Sequence, residues 1–221
     1  MATQPNVRNI IVGAAAFFVS ANTSQTGDPV QALPSLANSP ARSATATLQA
    51  NANWRDIGYT TNGLELSYEP DFGEIAVDQL LDAARLFKQG QKVMLKTEFA
   101  EASLENLFVV MNQTSGYNTV NAKQTTSTSG TDIDGVQNAV EIQGGTLGDY
   151  PVERSLVAVG PGPRPTSGNN ERVYYAARAM SMDASAHGLK RDSGTFFPVS
   201  FRLLPVASTS NAYGKIVDRT Y

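Results

Sequence analysis

The sequence predicts a mainly β protein, a β-sandwich or barrel flanked by one short α-helix, with long loops. Three observations lead there. Most apolar residues fall in short alternating runs, cut by Gly, Pro and Asn-Gly turn signals. Only residues 101–112 change to a helical period. Two long polar stretches, 20–53 and 113–135, show no period, and structureless stretches of that length are unusual in a compact domain unless they serve a function. The 221 residues suit a single domain, 1–221, large enough to bury a core, with extended loops or arms at about 20–53 and 113–135.

The elements follow in order. Residues 7–19 carry an apolar run, Ile10 to Val19, behind Arg8. It fits a buried first strand and, loosely, a secretory signal. Residues 20–53 hold only two charges, Asp28 and Arg42, and three prolines. Trp54 to Gly58 make a bend. Asn62-Gly63 is a hairpin-turn signal, because both residue types tolerate positive φ. Leu64, Leu66 and Tyr68 then alternate with Glu65, Ser67 and Glu69, giving one apolar and one acidic face. "EIAVDQL" (74–80) reads as a strand or a short transition, and "DQLLDAARLFKQG" (78–90) fits a helical turn ending at Gly90. "KVMLKTEFA" (92–100) alternates, with Val93, Leu95, Thr97 and Phe99 on one side and Lys96 and Glu98 on the other.

In "EASLENLFVVMN" the spacing of Leu104, Leu107, Phe108 and Met111 predicts one buried stripe of a helix of about nine residues. Ser103 is its N-cap, with Glu105 early, where the helix dipole favours a negative charge. Four further strand-like runs follow: 136–145, 152–160, 172–183 and 194–206. The last two flank the turn-rich segment 184–193 and so suggest a hairpin. Pro198 implies an edge or a bulge in the final run. "GPGPRP" (160–165) acts as a stiff connector.

Composition narrows function. The chain has no cysteine and one histidine, His187, which excludes disulfides, thiolate chemistry and a His-rich metal site. His187 reads as a turn residue. Net charge is −3, unlike a basic phosphate-gripping protein. It is split: residues 1–150 carry 15 acids and 8 bases, and residues 151–221 carry 5 acids and 9 bases. Such a subunit has complementary ends for head-to-tail association. Neither a dinucleotide-binding G-x-G-x-x-G, a P-loop nor a G-x-S-x-G elbow is present. Glu98, Glu101 and Glu105 form an acidic group better explained by a solvated strand-to-helix corner than by a glycosidase pair. "DIDG" (132–135) lacks the closing glutamate of a calcium loop. No apolar run approaches the ~18 residues of a membrane-spanning helix. The expectation is a non-enzymatic building block without cofactor or metal.

The stretch from Asn53 to Met111, "NWRDIGYTTNGLELSYEPDFGEIAVDQLLDAARLFKQGQKVMLKTEFAEASLENLFVVM", resembles the centre of the major tail-tube proteins of long-tailed (siphovirus-type) bacteriophages. The order of parts carries the resemblance: Trp54 with Asp56 and Gly58, the turn and acidic strand, Val77-Asp78-Gln79, "VMLKTEFAE", then "SLENL". The early apolar strand and the closing 174–206 segment also fit. The resemblance implies a tail-tube-like structural virion protein. Copies would form hexameric rings, their sheets joining into one inner β-barrel, and rings would stack head to tail into the tube that conducts DNA during ejection. It also implies a tape-measure protein, a tail terminator and tail-tip proteins as partners, only transient non-specific passage of double-stranded DNA, no membrane, and residence in the virion tail after assembly in the host cytoplasm. A conduit should be acidic or neutral so that phosphates slide, which makes Glu65, Glu69 and Glu98 candidate lumen-facing acids. The alternatives are another assembly protein, of a contractile tube or capsid decoration, and a secreted β-sandwich binding module.

Overall fold

The computed structural model describes residues 10–20, 54–112, 147–148, 151–163, 170–182, 186–189, 191–192, 194–206 and 212–220. Most of the two stretches expected to be long loops, the strand-like run 136–145 and "DIDG" lie outside them. The described residues form a mainly β fold with one short helix. Its strands are β1 (Ala16–Ser20), β2 (Trp54–Asp56), β3 (Thr60–Ile75), β4 (Arg85–Phe99), β5 (Arg154–Pro161), β6 (Asn170–Ser181), β7 (Phe197–Leu203) and β8 (Gly214–Thr220), with helix α1 (Leu104–Val110) between β4 and β5.

All eight strands belong to one open antiparallel sheet of order β2-β1-β5-β6-β7-β4-β3. β8 lies off this path, because β6 shares one edge between two strands: Asn170–Ala176 pair with β8 and Ala179–Ser181 with β7. The sheet therefore forks at residues 176–179. It also folds over itself. Phe17 of β1 stacks on Phe201 of β7 at 5.9 Å and tilts against Phe99 of β4 at 6.0 Å, although β5 and β6 separate β1 from β7 in the sheet. A right-handed twist accumulated over many strands permits this closure. The core between the layers holds Phe17, Val19, Leu95, Phe99, Leu156, Phe197 and Phe201. A second cluster on the other face of β1 and β5 holds Phe18, Trp54, Val157, Val159 and Val173. β5 is thus buried on both faces, as its nearly continuous apolar run suggests. Residues 16–20 of the N-terminal apolar run are a central strand, flanked by β2 and β5.

The alternation read in β4 holds: Val93, Leu95, Thr97 and Phe99 are buried, Lys96 is exposed and Glu98 half-buried. Trp54 is in strand β2, and the bend falls at Gly58, whose φ is +84°. The Glu101 carboxylate closes over Gly58, so any Cβ there would collide with it. Asn62 and Gly63 have the positive φ that their types favour, 58° and 68°, yet they form no hairpin turn. They make a bulge within β3, where the register with β4 shifts between Thr61 and Glu65.

The predicted helical turn over 78–90 is absent. A tight connection spans 76–84, and Arg85–Gly90 are strand, with Leu86 and Phe87 opposite Glu74 and Gly73. Cross-strand pairing along the hairpin satisfies backbone groups that a one-turn helix would leave open. "GPGPRP" begins later than its reading, since β5 continues through Pro161. Pro198 is paired with Glu98 of β4 and lies beyond the last β6–β7 pair, Ser181↔Phe201. β8 has no counterpart in the sequence reading.

Helix α1 requires a correction. Ser103 caps it, its Oγ accepting the Asn106 amide at 3.2 Å, and Asn112 ends it with a left-handed φ of 55°. Its buried residues, however, are Glu105, Asn106, Val109 and Val110. The expected stripe of Leu104, Leu107, Phe108 and Met111 is half-buried, although Leu107 packs against the core. The most buried face lies nearly opposite that stripe, about 180° around the helix. Polar anchoring explains this orientation. Asn106 Nδ2 donates to the Ile57 carbonyl at 2.8 Å and the Glu101 carbonyl at 3.0 Å, and Asn106 Oδ1 accepts from Arg55 at 2.9 Å. The Asn106 side chain thereby satisfies buried backbone carbonyls that a leucine there would leave unpaired.

Candidate functional site

Two surfaces stand out. The first is the far half of the β3–β4 hairpin. β4 pairs with β7 over Met94–Phe99, so among the described residues β3 beyond Ser67 and β4 before Met94 pair only with each other. They form a two-stranded arm, and isolated two-stranded ribbons are marginal in water. Phe72, Ile75, Leu86 and Phe87 along it are exposed. The tip, residues 76–84, carries exposed Val77, Leu80 and Leu81, the last fully in solvent, and its only charges are Asp78 and Asp82. The tip is tied by Ala84 N–H to the Ile75 carbonyl at 2.8 Å and Leu80 N–H to the Val77 carbonyl at 3.2 Å.

The second surface is a cleft of about 280 Å³ at the fork. Leu66, Tyr68, Val93 and Leu95 of the hairpin form one wall, and Tyr174, Tyr213 and Ile216 of the β6–β8 branch form the other. Lys215 is the one charged residue among the described residues of its lining. Lys88, from the arm, lies over the Tyr68 ring at 5.4 Å near the mouth and donates to its hydroxyl at 3.0 Å. Two arginine–carboxylate pairs stitch β8 to β6. Arg172 holds Asp218 through two bonds of 2.6 and 2.7 Å, and Arg219 holds Glu171 on the opposite, more buried face. The Arg172 guanidinium keeps the Asp218 carboxyl below the usual carboxylate range through that hydrogen bonding.

The candidate acids do share a face. Glu65 and Glu69 lie directly across from Lys96 and Lys92, and Glu98 follows Lys96 on the same side. Arg202 of β7, paired with Met94, joins that face. Three acids thus meet three bases, so the face is mixed in charge rather than acidic as expected. The sequence reading set the acids apart because strand pairing, which brings the lysines alongside, is a tertiary fact. Glu98 is also tied down, accepting from Thr61 Oγ1 and from Asn62 Nδ2 at 2.6 Å. Glu101 Oε1 accepts the Tyr59 amide at 3.1 Å, and Glu105 pairs with Arg55 at 3.7 Å. Each member of the former acidic group therefore has a fastening role at the corner.

Beside α1, Arg154 is buried under the Phe108 ring at 5.5 Å. Burial, helped by nearby Arg55, pushes its guanidinium down to about 10. At neutral pH it remains charged, and the cluster pins the helix to β2 and β5. His187 packs edge-on against Phe197 at 4.8 Å and is exposed. Among the described residues, no group of three or more His, Asp or Glu side chains is placed to hold a metal ion, and no helix is long and apolar enough to cross a membrane. Comparison with protein-family models finds no match, and comparison with curated proteins finds none either.

Proposed function

We propose that this chain is a non-enzymatic structural subunit that polymerises with copies of itself, in the manner of the phage tail-tube proteins its centre resembles. Six copies would close a ring, rings would stack, and the tube would conduct double-stranded DNA. The observation that carries the reading is the projecting arm, a two-stranded ribbon with exposed Phe72, Leu80, Leu81 and Leu86. A soluble chain that ends its folding there leaves apolar area that association would remove from water. The open sheet supports the same reading. Through most of its length β3 has a strand on one edge only among the described residues, and unpaired edges are templates for another chain. The mixed-charge face of β3, β4 and β7 has no basic stripe and would let phosphates pass. The expected tape-measure, terminator and tip partners, and residence in the virion tail, rest on the resemblance.

Negative-stain microscopy of the purified chain, concentrated and followed over time, tests this. Stacked rings or tubes of uniform diameter are the expected result. A strictly monomeric chain under all conditions, including inside its native particle, would sink the reading.

A further inference from the structure

We propose that the arm tip of one copy seats in the forked cleft of a second copy, with Leu80 and Leu81 in the cleft and Asp78 and Asp82 beside Lys215. This rests on the self-assembly reading and specifies its contact. The two surfaces match in chemistry. The tip is apolar with two carboxylates and no base, and the cleft is apolar with one ammonium in its lining. They match in size as well. A volume of about 280 Å³ is nearly twice the roughly 150 Å³ of an apolar cavity that admits benzene, room enough for two leucine side chains. A chain cannot satisfy itself this way. Tyr68 is in the cleft wall and the strand continues in the same ribbon to Ile75. That places the tip roughly 24 Å out at about 3.4 Å per residue. A tip seated in the cleft therefore comes from another molecule.

Tip and cleft are different surfaces, so a single tip-in-cleft contact is heterologous and can propagate into rings or filaments, whereas a reciprocal exchange of tips would close a two-fold dimer. Acid on the tip and base in the cleft follow the charge split along the chain, where residues 1–150 are acidic and 151–221 basic.

The absence of cysteine gives a clean test. Leu81→Cys and Ile216→Cys each alter an exposed side chain, so neither disturbs the core. The two full-length variants are mixed, brought to assembly conditions confirmed by microscopy, and oxidised. A mixed disulfide between them is expected in roughly tenfold excess over a Leu81→Cys and Leu189→Cys control pair, the preference that about 1.4 kcal/mol of docking energy supplies. Leu189 is exposed and lies on neither surface. Assemblies with no mixed disulfide, or with Leu81–Leu81 coupling alone, overturn the tip-in-cleft contact while leaving the assembly reading intact. Absence of any assembly by the wild-type chain overturns both.

Discussion

Asn106 shows how a single side chain sets the position of a whole element. It is 1% exposed and mid-helix, where its type has no intrinsic preference to be. Its amide bonds the Ile57 and Glu101 carbonyls and its oxygen accepts from Arg55, so it joins the bend, the strand-to-helix corner and β2. Truncation removes these bonds, among them the buried one to the Ile57 carbonyl. Each buried group left unpaired costs about 1–3 kcal/mol. Asn106→Ala should therefore lower unfolding stability by about 3 kcal/mol in urea titration, and Leu107→Ala, half-buried, by about half as much. Equal losses, or a larger one at Leu107, would restore the leucine stripe as the principal packing face. The stripe was the natural reading because periodicity counts apolar residues, whereas here hydrogen bonding to distant backbone decides which side turns inward.

At the scale of elements, alternation made β4 legible, apolar strand-like runs marked β5 and β7, and the cap at Ser103 located the start of α1. The pattern lost its force where pairing is decided elsewhere. Leu80 to Phe87 has helix-forming residues, but cross-strand partners on β3 claim its end, Arg85 to Phe87, and the rest is drawn into the connection. Asn62-Gly63 signals positive φ correctly, yet a bulge and a turn use the same conformation, and only the partner strand distinguishes them. β8 escaped notice because it is stitched by ion pairs as much as by apolar contact, and Arg172, Glu171, Asp218 and Arg219 acquire meaning only in register. The arm and cleft were illegible for the same reason, since a fork exists only once two strands share one edge. The β8 stitch has a pH signature. The folded-state pKa of Asp218 is depressed below its unfolded value of about 3.9. The pair therefore stabilises fully above that value, and the stabilisation is lost as pH falls through the lower folded-state pKa. Asp218 is well exposed, 41% at the side chain, so the pair contributes no more than roughly 1 kcal/mol. Asp218→Asn should lower stability by up to that amount at pH 7 and show a shallower decline than wild type below pH ~4, measured by urea unfolding across pH. Parallel pH curves for the two proteins would mean that the pair contributes nothing.

At the scale of the whole molecule, the body and the arm are separable in energy. The body has two apolar clusters bridged by β1 and β5, and no residue between Asp71 and Lys88 belongs to either. Along the arm, strand pairing among the described residues runs only between β3 and β4. Folding of the body should therefore not depend on the arm, and assembly should. A variant in which residues 74–86 are replaced by Asn-Gly tests this. It keeps the Gly73↔Phe87 pair, and a two-residue loop of that sequence suits a hairpin of this twist. Its melting temperature should stay within about 4 °C of wild type, since about 1 kcal/mol moves a domain of this size by roughly 2–4 °C. Tubes should be lost under conditions where wild type forms them. If the shortened chain still polymerises, the sheet edges alone hold copies together and the arm serves some other purpose. If it fails to fold, the arm is part of the body's stability and the division drawn from the contacts is wrong. Retained folding with lost assembly is the combination that a subunit completed by its own copies requires.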